Sequence, residues 1–539
     1  MLSSVKILDK SIANRNIILA NHRYFLLFIF SLAYFYFFAR VFWRIGDEGI
    51  LVYGAQLVSQ GALPYRDFFE VMGPGSFYWL GLFFKLFGTN IWVARALLLF
   101  TFSLTVLLLY WMTRRVYQGP FDLFPSLFYL LVGFPLEPVT SHHWDSNLFA
   151  LLAVGAFFLW QDRGRRWFLA LAGALAGLTS CFLQPKGLFL VVALALVILV
   201  NSWRTGEAKS RIASHLVILL GCFASVGGLV LLWFYHAGGL SDLIYATLIW
   251  PLNRYHHINW VPYGYGLRKW VVPYCLNLLN HFLPASLSRV MVFVTMIPFL
   301  VMVYLPFLLV GLTGISSLSK SNRSMIFNAK MLPYWAAGLA LWASELHRQD
   351  VVHLMYGSPL LLILFLVIWN YCSHRLTLLK YSGIGFITAC VILLGSFNVL
   401  TASSANVKIV TRRGVLYGFK KDPALIFLLK HTKPGDYAFI YPYYPMYYFL
   451  ADVKNPTRYS VMLYHMYTKA QFNEAIKDIN QKKVKYVLWD TAMSGSNLKI
   501  LLPGYKQPHK NKLHLERYLE DHYDVIGSKN GFKILRRRQ

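Results

Sequence analysis

Charge is what this sequence has least of. Only 14% of its 539 residues are Asp, Glu, Lys or Arg, and its 23 acids face 52 Lys plus Arg. A soluble globular chain carries about a quarter charged residues, so a water-soluble enzyme of this length is excluded. Cysteine is scarce as well. The five that occur (Cys181, Cys222, Cys275, Cys372 and Cys390) lie in or beside apolar runs, and none has a C-x-x-C partner. That pattern supports neither a disulfide framework nor a zinc site. Internal repeats and low-complexity segments are absent. What the chain has in quantity is apolar side chains, 57% of the total with 17% aromatic, at a mean hydropathy of +0.48. These numbers describe a polytopic membrane protein with a more polar piece attached.

The net charge of +29 could suggest nucleic acid. The bases instead sit at the ends of apolar runs or in the C-terminal part, which fits attraction to anionic lipid. Lys6, Lys10, Arg15 and Arg23 precede a run from Tyr24 to Trp43. It is too long for a signal h-region and lacks a small-residue cleavage site, so it is expected to remain as a first transmembrane helix. Ten more runs follow, at about 91–112, 121–136, 146–161, 167–183, 187–203, 213–235, 290–317, 331–344, 354–372 and 380–402. The expected count is about 11 transmembrane helices. The stretch 270–288 is charge-free until Lys or Arg flanks it, but Pro273, Asn277, Asn280, His281 and Pro284 favour an interfacial helix over a twelfth span.

Short connections on one side carry 17 bases, and the longer ones on the other carry nine. The positive-inside rule therefore places the N-terminus in the cytoplasm and, with eleven spans, the C-terminal domain outside. Acids show the reverse bias: nine of the thirteen in residues 1–402 map outside. Acids contribute little to topology, so an external site that uses carboxylates is the better explanation. Residues 403–539 alternate helical and strand-like patterns, with a strand at Tyr437–Tyr441, a helix near 468–482 and a strand at 484–489. They are expected to form a small α/β soluble domain beside a 1–402 membrane domain.

The most informative stretch is the first external loop, 44–90. Asp47 and Glu48 stand directly after the first span, and Arg66, Asp67 and Glu70 follow. Residues 48–60 and Phe77–Phe87 are expected to lie at the membrane interface. Later external candidates are His143 and Asp145 in Ser-His-His-Trp-Asp, Lys186 in Gln-Pro-Lys-Gly, and Arg348, Asp350 and His353 at the mouth of a span. Two histidines and a carboxylate could ligate a divalent ion, but i, i+1 histidines with one Asp do not make a full set, so the metal stays open. His256/His257 suit either a mobile acceptor-side loop or plain surface. Tyr441, Tyr443, Tyr444, Tyr447 and Tyr448 are expected to pack a small core rather than stack on sugars.

The blocks Asp-Glu-Gly (47–49), Gly-x-x-Pro-Tyr-Arg-Asp-Phe-Phe (61–69), Gly-Pro-Gly (73–75), Arg-x-Asp-x-x-His (348–353) and Thr-Lys-Pro-Gly-Asp (432–436) resemble a known family. It is the GT-C superfamily of membrane glycosyltransferases, on the side of bacterial relatives of the protein O-mannosyltransferase type (family 39) and the lipid A aminoarabinose transferases. The resemblance is close over 46–95 and loose elsewhere. It implies an integral enzyme of the bacterial inner or plasma membrane. It also implies a polyprenyl-phosphate-sugar donor and a glycan, lipid or protein acceptor hydroxyl, with inversion at the anomeric carbon. Asp47 is then the candidate base, and Glu48 shares its proton or orients the acceptor. Arg66, Lys186 and Arg348 are the candidate phosphate contacts. No cofactor is required beyond the open divalent ion, and nucleic acid is not an expected partner. The alternatives are a membrane polysaccharide polymerase or ligase, which would place Arg/His-rich residues in later loops, and a flippase or transporter, which would need polar mid-membrane helices.

Overall fold

The computed structural model describes residues 22–255, 259–372, 377–491, 493, 498–499, 502–506, 508–509, 513–529 and 531–539. Lys6, Lys10, Arg15 and the His256/His257 pair lie outside them. All eleven apolar runs are helical. Among the described residues, six helices can by length and composition cross a membrane: His22–Ala39, Ile91–Val116, Gln184–Thr205, Lys209–His236, Ala285–Val303 and Tyr381–Ser403. Phe124–Leu136, Arg166–Phe182, Leu305–Ser317 and Pro359–Cys372 are shorter apolar helices, and His142–Arg163 and Leu332–Ser344 complete the set. The cause is local in each case. Asn90, for example, caps Ile91–Val116 by accepting the Trp92 N–H at 2.9 Å, and the helix ends in Arg114 and Arg115, basic residues that suit a helix C-terminus. Lys209–His236 has only Leu219 and Phe234 buried among its 28 residues. An apolar surface that bare is covered by lipid, not water.

Two runs are broken where one continuous helix each was expected. The 290–317 run divides at Tyr304, and Pro306, which has no N–H to donate to the turn before it, sits in the first turn of the second helix, where none is needed. The 354–372 run divides at Gly357 and Ser358, ahead of Pro359, so His353 sits on a separate short helix, Val351–Tyr356. Ahead of both, Val272–Asn280 has nine residues, roughly 13 Å of helix, too short to cross a bilayer core of about 30 Å.

The loop after the first helix, 44–90, holds two helices, Gly46–Ser59 and Pro74–Phe87. The first of these two is largely enclosed by protein. Ten of its 14 residues are buried, between Pro74–Phe87 on one side and Met446–Leu450 of the C-terminal domain on the other. Gly49 permits this approach, since a Cβ there would sit 2.2 Å from the Met446 backbone nitrogen. Gly73, in the Gly-Pro-Gly block, is needed likewise, because its Cβ would meet the Cys181 carbonyl oxygen at 2.2 Å.

After the last membrane helix, β1 (Val407–Thr411) and β2 (Gly414–Gly418) form a hairpin. β3 (Ala438–Tyr441), β4 (Tyr486–Asp490), β5 (Tyr523–Lys529) and β6 (Phe532–Arg537) form a sheet of order β3-β4-β6-β5. β3 and β4 are parallel, joined through the Lys469–Gln481 helix, whose start is fixed by a Thr468/Gln471 capping box. This domain is not a detached appendage. Phe42, Leu51, Tyr53 and Ile91 share one apolar cluster with Ile409, Leu416, Tyr447, Phe449 and Leu488. Tyr441, Tyr447 and Tyr448 are core residues, fully enclosed, and burying a side chain of that size stabilises the fold by about 1.5–3 kcal/mol. Because the domain packs on the first loop, both occupy the same side of the membrane.

Candidate active site

The chain reverses after the first membrane helix through Arg44, which takes a left-handed φ of 57°. The Arg44 guanidinium is held by Asp422 at 3.4 Å and donates to the Tyr447 hydroxyl, which ties the turn to the C-terminal domain. The Gly46–Ser59 helix starts there, with Asp47 and Glu48 in its first turn, where the helix dipole favours negative charge. Consecutive helical side chains diverge by about 100°, so the two carboxylates have opposite environments. Glu48 is 2% exposed. Its Oε2 accepts from Arg95 Nη2 at 2.8 Å, and its Oε1 faces the Thr140 N–H at 3.4 Å. Arg95 is fully buried and also donates to the Pro138 carbonyl at 2.9 Å.

Asp47 keeps a solvent-exposed edge, yet protein surrounds the rest of it. That enclosure raises its pKa, Asp350 adds to the rise, and Arg348 and His353 oppose it. Two further carboxylates lie within electrostatic reach. Burial, reinforced by Asp47, pushes Glu137 up to about 8, and Tyr356 donates a hydrogen bond to it. Burial also pushes Glu70 up to about 8, with Ser460 opposing and Asp47 adding. Asp47 is therefore an accessible carboxylate at the edge of a crowded acidic and basic recess.

The basic side of the recess is a built unit. Asp350 caps the Val351–Tyr356 helix by accepting the His353 N–H at 3.0 Å, accepts from Arg348 Nε at 2.5 Å, and holds His353 Nδ1 at 2.8 Å. Arg348 Nη1 also donates to Asn259 Oδ1 at 2.5 Å. Burial works against charge on both Asp350 and His353. The attraction between them outweighs it, holding Asp350 low and raising His353.

A second ionic group adjoins this one from inside the helical bundle. Lys186 and Glu345, both 0% exposed, are 2.6 Å apart. The ammonium also donates to Asn147 Oδ1 at 2.5 Å and Ser146 Oγ at 3.2 Å, so its three N–H donors are taken. Lys186, expected to meet a phosphate, thus has its hydrogen-bonding capacity spent inside the protein. His143 stacks on Tyr356 with ring centroids 4.3 Å apart and lies 3.3 Å from Glu345. His143, Glu345 and His353 bring ligand-type atoms within 4.8 Å of one another. Two imidazoles and a carboxylate suit a divalent ion, but Lys186 already engages that carboxylate.

The structure thus gathers Asp47, Arg348, Asp350 and His353, with His143 and Lys186 joined to them through Glu345. Glu70 lies within electrostatic reach of Asp47, whereas Arg66, Asp67 and Asp145 stand apart. Arg66 and Asp67 pair with each other at 2.8 Å on an exposed turn; Asp67 accepts the Leu63 N–H and Arg66 donates to the Ala237 carbonyl. The pair shapes the loop away from Asp47. Asp145 is buried on the His142–Arg163 helix, and its carboxylate makes no ion pair among the described residues. Sequence reading passed over Arg95, Glu137 and Glu345. Arg95 did leave a signal, as the single charge in the apolar stretch 91–112, where an ionisable group is costly and needs a partner.

The chain matches no family model and no curated protein. Among solved structures it is similar to the archaeal oligosaccharyltransferase AglB from Archaeoglobus fulgidus, in complex with an inhibitory peptide and a dolichol-phosphate. The identity is 12%, over 96% of this chain and 75% of that one, with a TM-score of 0.49. It is also similar to ArnT from Cupriavidus metallidurans bound to undecaprenyl phosphate, at 12% identity over 96% and 97% of the two chains and a TM-score of 0.47. Likeness this distant concerns the course of the chain. What the site can do is decided by its own residues.

Proposed function

We propose that this protein is an inverting glycosyltransferase that moves a sugar from a polyprenyl-phosphate-linked donor to an acceptor hydroxyl on the external face of the membrane. The observation that carries the reading is the recess. It offers one accessible carboxylate, Asp47, opposite the Arg348–Asp350–His353 unit, at the boundary between apolar helices and a polar domain. In the reaction the acceptor O–H proton passes to Asp47 as the acceptor oxygen bonds to the anomeric carbon. The bond from that carbon to the phosphate oxygen breaks, and its electron pair stays on the lipid phosphate. Attack opposite the leaving group inverts the centre. Arg348 and a protonated His353 balance the phosphate charge, and Asp350 orients both. Glu48 and Lys186 hold backbone and helices in place rather than touching substrate.

The raised pKa of Asp47 makes it a stronger base than a free carboxylate. The arrangement fits a bacterial inner or plasma membrane, with the N-terminus cytoplasmic and the C-terminal domain and recess outside. The sugar is a hexose or pentose, and the acceptor a glycan, lipid or protein. The His143–Glu345–His353 set is the place a divalent ion would bind, in competition with Lys186. The test is Asp47→Asn, assayed with polyprenyl-phosphate sugars in membranes. Transfer should be lost while the melting temperature holds. Full transfer by a folded Asp47→Asn protein would remove Asp47 as the base.

A further inference from the structure

A second cleft lies on the other face of the Gly46–Ser59 helix. Tyr53, Gln56 and Gln60 recur at i, i+3 and i+7, so they form one stripe, and all three line this cleft. Gln56 is nine residues beyond Asp47, half a turn round and roughly 13 Å along the axis, so the cleft is separate from the recess. Its opposite wall is the C-terminal domain, around Tyr437, Asn455 and Arg458. The cavity measures about 360 Å³, within the range of small-ligand sites.

The lining is polar and electrically balanced. Arg66 and Asp67 form one ion pair at its rim, and Arg458 and Glu474 form another at 3.1 Å. Lys454 and Lys482 add two positive groups, and Asp452 and Asp478 two negative ones. A cation or an anion would gain on one set and lose on the other. A neutral hydroxyl can donate to the carboxylates and accept from the guanidinium and ammonium groups at the same time. Gln56 is only 5% exposed, and its Oε1 has no hydrogen-bond partner, an acceptor left over at the floor of the cleft. Tyr437 is 39% exposed, with the Lys482 ammonium over one face 5.4 Å from the ring centroid; the rest of the ring is an apolar surface for the C–H side of a sugar ring.

We infer that this cleft binds a segment of a neutral glycan, a holding site apart from Asp47. Its assignment to the acceptor rests on the transferase reading, but binding itself does not. The test is binding of the full-length, detergent-solubilised protein to an array of neutral and acidic oligosaccharides. Neutral oligosaccharides should be retained. Tyr437→Ala and Gln60→Ala, at exposed side chains, should each weaken retention at least tenfold at unchanged melting temperature, and Asp47→Asn should bind as the natural chain does. Failure to retain any neutral oligosaccharide, preference for acidic ones, or retention unaffected by both substitutions would overturn the inference. Binding that persists while the natural chain transfers no sugar from polyprenyl-phosphate donors would sink the transferase reading and leave this site standing.

Discussion

Two ionic groups sit near each other and differ in one respect, access to water. Lys186–Glu345 and Arg95–Glu48 are closed on all sides. Asp47 with Arg348, Asp350 and His353 is open at one edge. A closed pair has already exchanged hydration for its partner, so removing one member leaves a buried charge uncompensated. An open group can exchange its neighbours for substrate. The contrast separates residues that hold the fold from residues that can act, even where both are adjacent in sequence, as Asp47 and Glu48 are.

The comparison can be broken most sharply at Asp47. Asp47→Asn should lower the transfer rate by about 10²–10⁴, the usual contribution of a general base, with thermal stability unchanged. Next come the closed pairs. Arg95→Met and Lys186→Met should each destabilise by about 3–5 kcal/mol, and adding the apolar replacement of the partner acid should restore much of it. Thermal unfolding in detergent measures this. If either single variant were as stable as the natural chain, that pair would not be closed. Arg348→Ala should raise the donor concentration needed for half-maximal transfer by about tenfold, near 1.4 kcal/mol, with a smaller change for the acceptor. An unchanged donor requirement would detach Arg348 from the phosphate.

The last effect concerns pH. Glu70 and Glu137 have folded pKa values raised to about 8 from an ordinary 4.5. The stability they support is therefore full below about pH 4.5 and is lost as pH rises toward 8. Asp350 is held low, so its contribution runs the other way, present above its ordinary value and lost in acid. Melting temperatures scanned from pH 5 to pH 9 should fall. Glu70→Gln should flatten the decline, and an unaltered slope in that variant would exclude Glu70 as a cause.

Much of the fold was legible because membrane helices announce themselves by composition. The helix breaks before Pro306 and Pro359 were also present as residues but were read through, since both flanks are equally apolar. In the site, Asp47 stood out by its place after the first span. Arg66 and Asp67 were open to two readings, because a charged motif in a loop reads the same whether it faces a substrate or braces a turn. Glu345, at the end of an apolar helix, gave no local sign that Lys186, some 160 positions earlier in the chain, would meet it.

The order and apolar character of the helices, the place of the acidic loop and the α/β nature of the C-terminal region follow from the sequence alone, since each depends on side chains close together along the chain. Which carboxylate stays open and which is locked by an arginine, where Lys186 spends its donors, and that the polar domain shares a core with the first loop are properties of the tertiary structure. They are set by contacts between distant segments, and an ionisable group takes its role from the charges and water it meets there.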